Sequence, residues 1–252
     1  MMNMGLLKIS AVSYLNTFPF VYGIQKSGIL KDYRLDLDIP AICADKLKEG
    51  IVDVALIPVG ALSDLAAYEF VTDFCIGAVN TVKTVLLLSH SPLANIREIG
   101  LDYDSRTSVQ LVKVLAKHYW KIDPSWKNLM PGQASQIQGA EAIVAIGDKT
   151  FDLVKKYPYC YDLAEEWIRF TSLPFVFAAW VTTKKLSEPL QTDLNRALDF
   201  GVHHIKETLE FFKDKLPEGE DCQSYLEKNI SYSFDERKKQ GLDLFLNYLE
   251  KY

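Results

Sequence analysis

Between residues 10 and 20 the chain reads SAVSYLNTFPF. Ser13, Tyr14, Asn16 and Thr17 bring three hydroxyls and an amide into five positions, all able to hydrogen-bond and none charged near neutral pH. Amides and hydroxyls are poor bases at that pH, so the loop contains no conventional proton acceptor. What it can do is orient a polar ligand. A second hydroxyl-rich stretch, DSRTS at 104–108, follows a short strand and opens a helix. There Ser105, Thr107 and Ser108, the guanidinium of Arg106 and free backbone N–H groups could face one anion. The plainer alternative makes Ser105 a simple helix cap with Arg106 in solvent, and makes Asn16 or Thr17 the cap of the first helix. Redundancy weakens that alternative for SYLNT, because a cap needs one oxygen and four polar side chains cluster there. Thr84 reads equally as a strand former facing solvent, and Gly147 with Asp148 as a turn. Each signal is weak alone, and their shared placement gives them weight.

That placement follows from the elements. LKISAV is a strand, TFPFVYGIQKSG a helix, YRLDLDIP a half-exposed strand, CADKLKEG a short helix and IVDVALIPVG a β-branched strand. Alternation of this kind predicts an α/β fold with a parallel sheet and helices on its faces. The pattern restarts at VKTVLLLS (82–89), continues through a strand–helix unit over 100–120 and EAIVAIGD (141–148), and ends in the long strand LPFVFAAWVTT (173–183). Leu190, Leu194, Leu198, Ile205, Leu209 and Phe212 follow one helical face behind Ser187, and Ser233 with Glu236 reads as a capping box for the last helix. The expected organisation is two lobes with two crossings: residues 1–84 plus 182–252 as a discontinuous first lobe, 85–181 as an inserted second. Ligands of open α/β sheets bind beyond the carboxyl ends of strands, which selects loops 12–17, 57–60, 104–108 and 147–150.

The 252 residues suffice for a sizeable core, and 48% apolar with 24% charged residues is the balance of a soluble globular protein. A net charge of −5 argues against nucleic acid as the main partner. No stretch approaches the roughly 20 apolar residues of a membrane helix, and MMNMGLLKIS does not read as a signal peptide. Cys43, Cys75, Cys160 and Cys222 are scattered without a CxxC pair, as expected of buried thiols in a reducing cytosol. His203 and His204 are adjacent, about 100° apart on a helix, whereas a zinc pair sits one turn apart. The expectation is a soluble cytoplasmic protein.

SYLNT followed by PFVYGI, then DVALIPVGAL, SRTS, AIGD and LPFVFAAW, in that order, resembles the chorismate dehydratases of the futalosine route to menaquinone. The resemblance runs from about residue 8 to about 181 and implies the two-lobed (type II) periplasmic-binding-protein-like fold. It implies a lyase that removes water from chorismate to give 3-[(1-carboxyvinyl)oxy]benzoate. A ring proton beside the enolpyruvyl ether leaves with the neighbouring hydroxyl, and the ring becomes aromatic. On this reading Asn16 is the catalytic residue, holding the substrate so that one of its own carboxylates takes the proton. Ser13, Tyr14, Thr17, Thr84, Ser105, Arg106, Thr107, Ser108, Gly147 and Asp148 bind the dianionic substrate, and the neutral loop avoids repelling it. Asp148 as a buried general base is the rival. Thr84 stands where the family often has serine. Neither metal nor organic cofactor is implied, and the chain is expected to be a monomer or homodimer. The alternatives are a non-catalytic cytosolic binding protein for a small dicarboxylate, and the related 1,4-dihydroxy-6-naphthoate synthase, whose opening loop differs.

Overall fold

Aliphatic runs without polar interruption call for strands covered on both faces, and such runs form the middle of two sheets. The computed structural model of the chain describes residues 6–102, 105–130 and 142–250. Its strands are β1 (Leu7–Val12), β2 (Tyr33–Asp38), β3 (Val54–Pro58), β4 (Glu69–Ala78), β5 (Val85–Ser89), β6 (Glu98–Leu101), β7 (Ser125–Asn128), β8 (Ala142–Ile146), β9 (Tyr159–Asp162), β10 (Phe175–Thr182) and β11 (Ser231–Ser233). One sheet has the order β11-β4-β10-β3-β1-β2 and the other β7-β6-β8-β5-β9. β1 runs parallel to β2 and β3, and β6 parallel to β7 and β8, so each sheet keeps a parallel α/β unit. Antiparallel strands complete them: β10 pairs with β3 and β4, and β5 with β8 and β9. Every residue of β3, β5, β8 and β10 is buried.

The chain leaves the first sheet between Ala78 and Val85 and returns between Asp162 and Phe175. The sequence reading assigns residues 173–181 to the inserted lobe, whereas β10 hydrogen-bonds between β3 and β4 in the six-stranded sheet. An eight-residue strand buried throughout needs partners on both edges, and those two strands supply them.

The helices are α1 (Phe18–Lys26), α2 (Pro40–Lys48), α3 (Thr107–Val114), α4 (Thr150–Leu153), α5 (Leu163–Thr171), α6 (Glu188–Val202), α7 (Ile205–Phe211), α8 (Cys222–Ser224) and α9 (Glu236–Leu249). The long helix read over 188–212 breaks at His203 and His204, whose Nδ1 atoms donate to the carbonyls of Asp199 (2.9 Å) and Phe200 (2.6 Å). The cap of α9 is Asp235, accepting from Lys238 N at 2.9 Å, and not Ser233. α1 and α6 cross at Gly23 and Gly201, where an added Cβ would run into the Ala197 and Pro19 carbonyls. That crossing anchors α1, and with it the loop that precedes it. Among the cysteines Cys160 is exposed, and the other three are buried. Among the described residues no helix is long and apolar enough to cross a membrane.

Candidate functional site

A pocket lies where the chain passes between the two sheets. Its apolar wall includes Val12, Leu56, Ile76, Val85, Ile146 and Phe177, and its polar groups come from Tyr14, Asn16, Thr17, Thr84, Ser105, Thr107 and Ser108, with Gly147 beside them. No charged side chain lines it among the described residues. Such a mixture, mostly apolar with a few convergent polar groups, fits a small-molecule site. Of the residues singled out from the sequence, Ser13, Arg106 and Asp148 are not part of this lining.

The loop after β1 supplies one edge. Ser13 is exposed, and its N–H donates to the Asp38 carbonyl at 3.0 Å. The Tyr14 ring lies over Gly147: a Cβ there would come within 3.0–3.2 Å of three ring carbons, and the backbone has φ +74°. The positive φ favours glycine at that position, and the ring leaves little room for a Cβ. The Asn16 Oδ1 accepts from the Thr17 hydroxyl at 3.2 Å, and the Asn16 carbonyl accepts from the Tyr232 hydroxyl at 3.1 Å. Thr17 precedes α1 without a side-chain capping bond, so its hydroxyl serves the site loop and not the helix end.

Asp148, from the second sheet, accepts the Leu15 N–H with both carboxylate oxygens, at 3.1 and 3.3 Å. Burial raises its pKa to about 6, and the Leu15 N–H offsets part of that rise.

Thr84 sits on the first crossing, next to Lys83, which has the left-handed φ of 63°. Buried Asp162 holds this backbone in place. Its Oδ2 accepts from Val82 N (2.9 Å) and Lys83 N (2.7 Å), while its Oδ1 accepts from Ala164 N and Glu165 N at the start of α5. One carboxylate thus ties the outgoing crossing to the return. Thr84 Oγ1 lies 2.8 Å from the Tyr225 hydroxyl.

The tip of α3 faces the same cavity, but its polar groups are largely engaged. Ser105 Oγ accepts from Ser108 N at 3.0 Å, a helix cap that leaves the Ser105 proton to donate elsewhere. Thr107 Oγ1 accepts from Gly60 N at 3.0 Å and donates to the Phe177 carbonyl at 3.0 Å. Only a glycine permits this approach, since a Cβ on Gly60 would lie 2.9 Å from the Thr107 Cα. Arg106 differs from the carboxylate clamp read in the sequence. Its guanidinium pairs with Asp45 (2.7 Å) and Asp64 (3.0 Å) on the first-sheet side, two carboxylates already within its reach.

Sequence reasoning did not find Asp162, Tyr225 or Tyr232. Asp162 ahead of LAEEW could have been read as a cap, but nothing in SYLEKNIS marks a phenol that reaches back to residue 84. Among the described residues no three His, Cys, Asp or Glu side chains converge into a metal-binding group.

A family model described as menaquinone biosynthesis matches residues 7–251. A chorismate dehydratase from Thermus thermophilus is 23% identical over 94% of this chain and 92% of its own length. A protein of known structure from Archaeoglobus fulgidus superposes with a TM-score of 0.74 at 15% identity, covering 99% of this chain and 98% of that one. The alkanesulfonate-binding protein SsuA of Xanthomonas axonopodis pv. citri, solved with MOPS, gives 0.65 at 14% identity, covering 99% and 95%. The fold is that of the periplasmic binding proteins, as the sequence motifs implied.

Proposed function

The chain belongs to the menaquinone biosynthesis family, and from that premise we propose that it is a chorismate dehydratase, a cytoplasmic lyase forming 3-[(1-carboxyvinyl)oxy]benzoate and water. The observation that carries the reading is the uncharged cavity itself, with Asn16 and Thr84 in its polar rim and no carboxylate in its described lining. The proton on the ether-bearing ring carbon and the hydroxyl on its neighbour leave together as water, and aromatisation makes the net change downhill. The protein's task is to hold the ring in a reactive conformation and to meet developing charge with fixed donors.

Asp148 lies outside this lining, its two oxygens sharing the Leu15 N–H. On this reading a carboxylate of the bound substrate takes the ring proton. Asn16 holds the substrate for that transfer, and the Ser105 hydroxyl and α3 tip attract its other carboxylate. Each sheet is read as the core of one lobe. Thr107 on Gly60 and Phe177, Arg106 on Asp45 and Asp64, and Asp148 on Leu15 are read as the contacts that hold the lobes shut.

Incubating the purified protein with chorismate tests the reading. Appearance of an aromatic ultraviolet spectrum and a product lighter by one water supports it. Bound but unchanged chorismate overturns it in favour of a binding protein.

A further inference from the structure

Tyr225 lies in the C-terminal segment, beyond the motifs that run to about residue 181, and it opens a single π-helical turn (Tyr225–Asn229) after α8. Turns of this kind recur at functional sites because they push a side chain off the regular helical spacing. The side chain is 2% exposed, and Phe151 braces its ring edge-on with centroids 5.4 Å apart. One turn on, Asn229 Nδ2 donates to the Thr81 carbonyl (3.0 Å) and hydroxyl (3.1 Å). The whole segment is thereby fixed to the crossing that carries Thr84.

Asn16 Oδ1 is occupied by the Thr17 hydroxyl, which leaves the amide N–H2 end of Asn16 for the Tyr225 phenol oxygen that its side chain approaches. Burial raises the phenol's pKa, so it stays protonated and can donate at neutral pH. Either hydroxyl can donate across the 2.8 Å between the phenol and Thr84 Oγ1, and the arrangement in which the phenol donates is the one that frees the Thr84 proton. Thr84 in turn keeps its own proton for an acceptor, and its protein alternative, the Val82 carbonyl, is 3.4 Å distant. Thr84 lines the cavity and Tyr225 does not.

We propose that Tyr225 is a positioning residue for the dehydration, a buried phenol that aims the Thr84 hydroxyl as a donor to an oxygen of the substrate. The proposal rests on the reading of the cavity as a chorismate site. The phenol touches no reacting atom, so its removal acts through Thr84.

Tyr225→Phe keeps the ring and removes the one hydroxyl. The expected result is a kcat between about ten- and a hundredfold lower, with KM within about threefold and an unchanged melting profile. In a Thr84→Val background the same substitution should change kcat by less than about twofold, because the group it acts through is gone. Tyr225→Phe with wild-type kcat, or with an equal loss in both backgrounds, overturns the proposal. Thr84→Val supplies a second measurement should the tyrosine variant not fold. A kcat within about twofold of wild type would leave the phenol nothing to act through, and it overturns the proposal as well. A wild-type protein that leaves chorismate intact removes the proposed function and this inference together, whereas an active wild type with an indifferent Tyr225→Phe removes the inference alone.

Discussion

Two loops of this molecule look alike in sequence and are used differently. Ser13–Thr17 and Ser105–Ser108 both precede helices and both crowd hydroxyls around one longer polar side chain. In the second loop Thr107 gives its oxygen and its proton to Gly60 and Phe177, Ser105 caps the helix, and Arg106 is held by two carboxylates. In the first, Asn16 is joined to its neighbour Thr17 through its side chain and to Tyr232 through its carbonyl, and it remains in the cavity rim. Unpaired backbone groups of the opposite sheet lie within reach of residues 105–108, and a buried backbone group left without a partner is costly. A hydroxyl that finds such a partner becomes structure. One that does not is left for the ligand. Polar composition announces a site, and the surrounding backbone decides which of its residues serve it.

The largest expected effect breaks this comparison on the side of Asn16. Asn16→Ala should lower kcat on chorismate by about a hundred- to a thousandfold, the loss typical of one preorganised donor. Its melting temperature should stay close to wild type, since the Tyr225 phenol beside the amide keeps Thr84 as a partner. Steady-state kinetics alongside a thermal melt decide it. A variant that unfolds without a specific loss of turnover would place Asn16 in the same structural class as Thr107.

Thr107→Val sharpens the other side. The isosteric change orphans Gly60 N and the Phe177 carbonyl, at a cost of about 1–3 kcal/mol. Denaturant unfolding should show that loss, while kcat should fall far less than for Asn16→Ala. A stable variant with a strongly raised KM would return Thr107 to the ligand-facing class.

What the sequence made legible follows the same division. β1, β3, β5, β8 and β10 are apolar runs bounded by Gly, Pro or polar clusters, and each is a strand. β4 was not readable, because Thr72 and Asp73 interrupt EFVTDFCIGA, although Val71 and Cys75 to Ala78 are buried. β7, β9 and β11 are short strands at sheet edges, where partial exposure removes the apolar signature. The place of β10 in its sheet depends on pairing across more than a hundred residues, which no local pattern encodes. In the site, the loops were legible and the partners were not. Asp45 and Asp64 lie 61 and 42 residues before Arg106, and Tyr225 lies 141 residues after Thr84.

The bond between Asp148 and Leu15 joins the first loop to the second sheet, and pH probes it. The folded-state pKa is raised to about 6 from an ordinary value of 3.8, so between those values the native state binds more protons than the unfolded one. Stability from this group is therefore present at low pH and declines as pH rises through about 4 to 6. Because the carboxylate is partly exposed, the expected change is about 1–2 kcal/mol. Asp148→Asn still offers an oxygen to Leu15 N and should flatten that stretch of the stability profile, with kcat near wild type. A loss of most turnover with substrate affinity intact would instead make Asp148 the general base and remove the substrate carboxylate from that role.

The smallest expected effect falls on the residue with the strongest charge. Arg106 is about one-third exposed on its side chain, and its partners Asp45 and Asp64 are 42% and 47% exposed. Ion pairs this wet contribute about 0–1 kcal/mol, because water and salt screen them and two long side chains must be held still. Arg106→Ala should accordingly cost little stability, less still at high salt, and should raise KM by no more than about threefold. A guanidinium that clamped a substrate carboxylate would act differently: a charge-assisted pair is worth about 1.5–3 kcal/mol, or roughly ten- to a hundredfold in KM. A rise of that size with kcat preserved would mean that Arg106 leaves Asp45 and Asp64 when the ligand arrives. Arg106 would then join the ligand-facing residues, and its grouping with Thr107 among the residues engaged by the protein itself would fail.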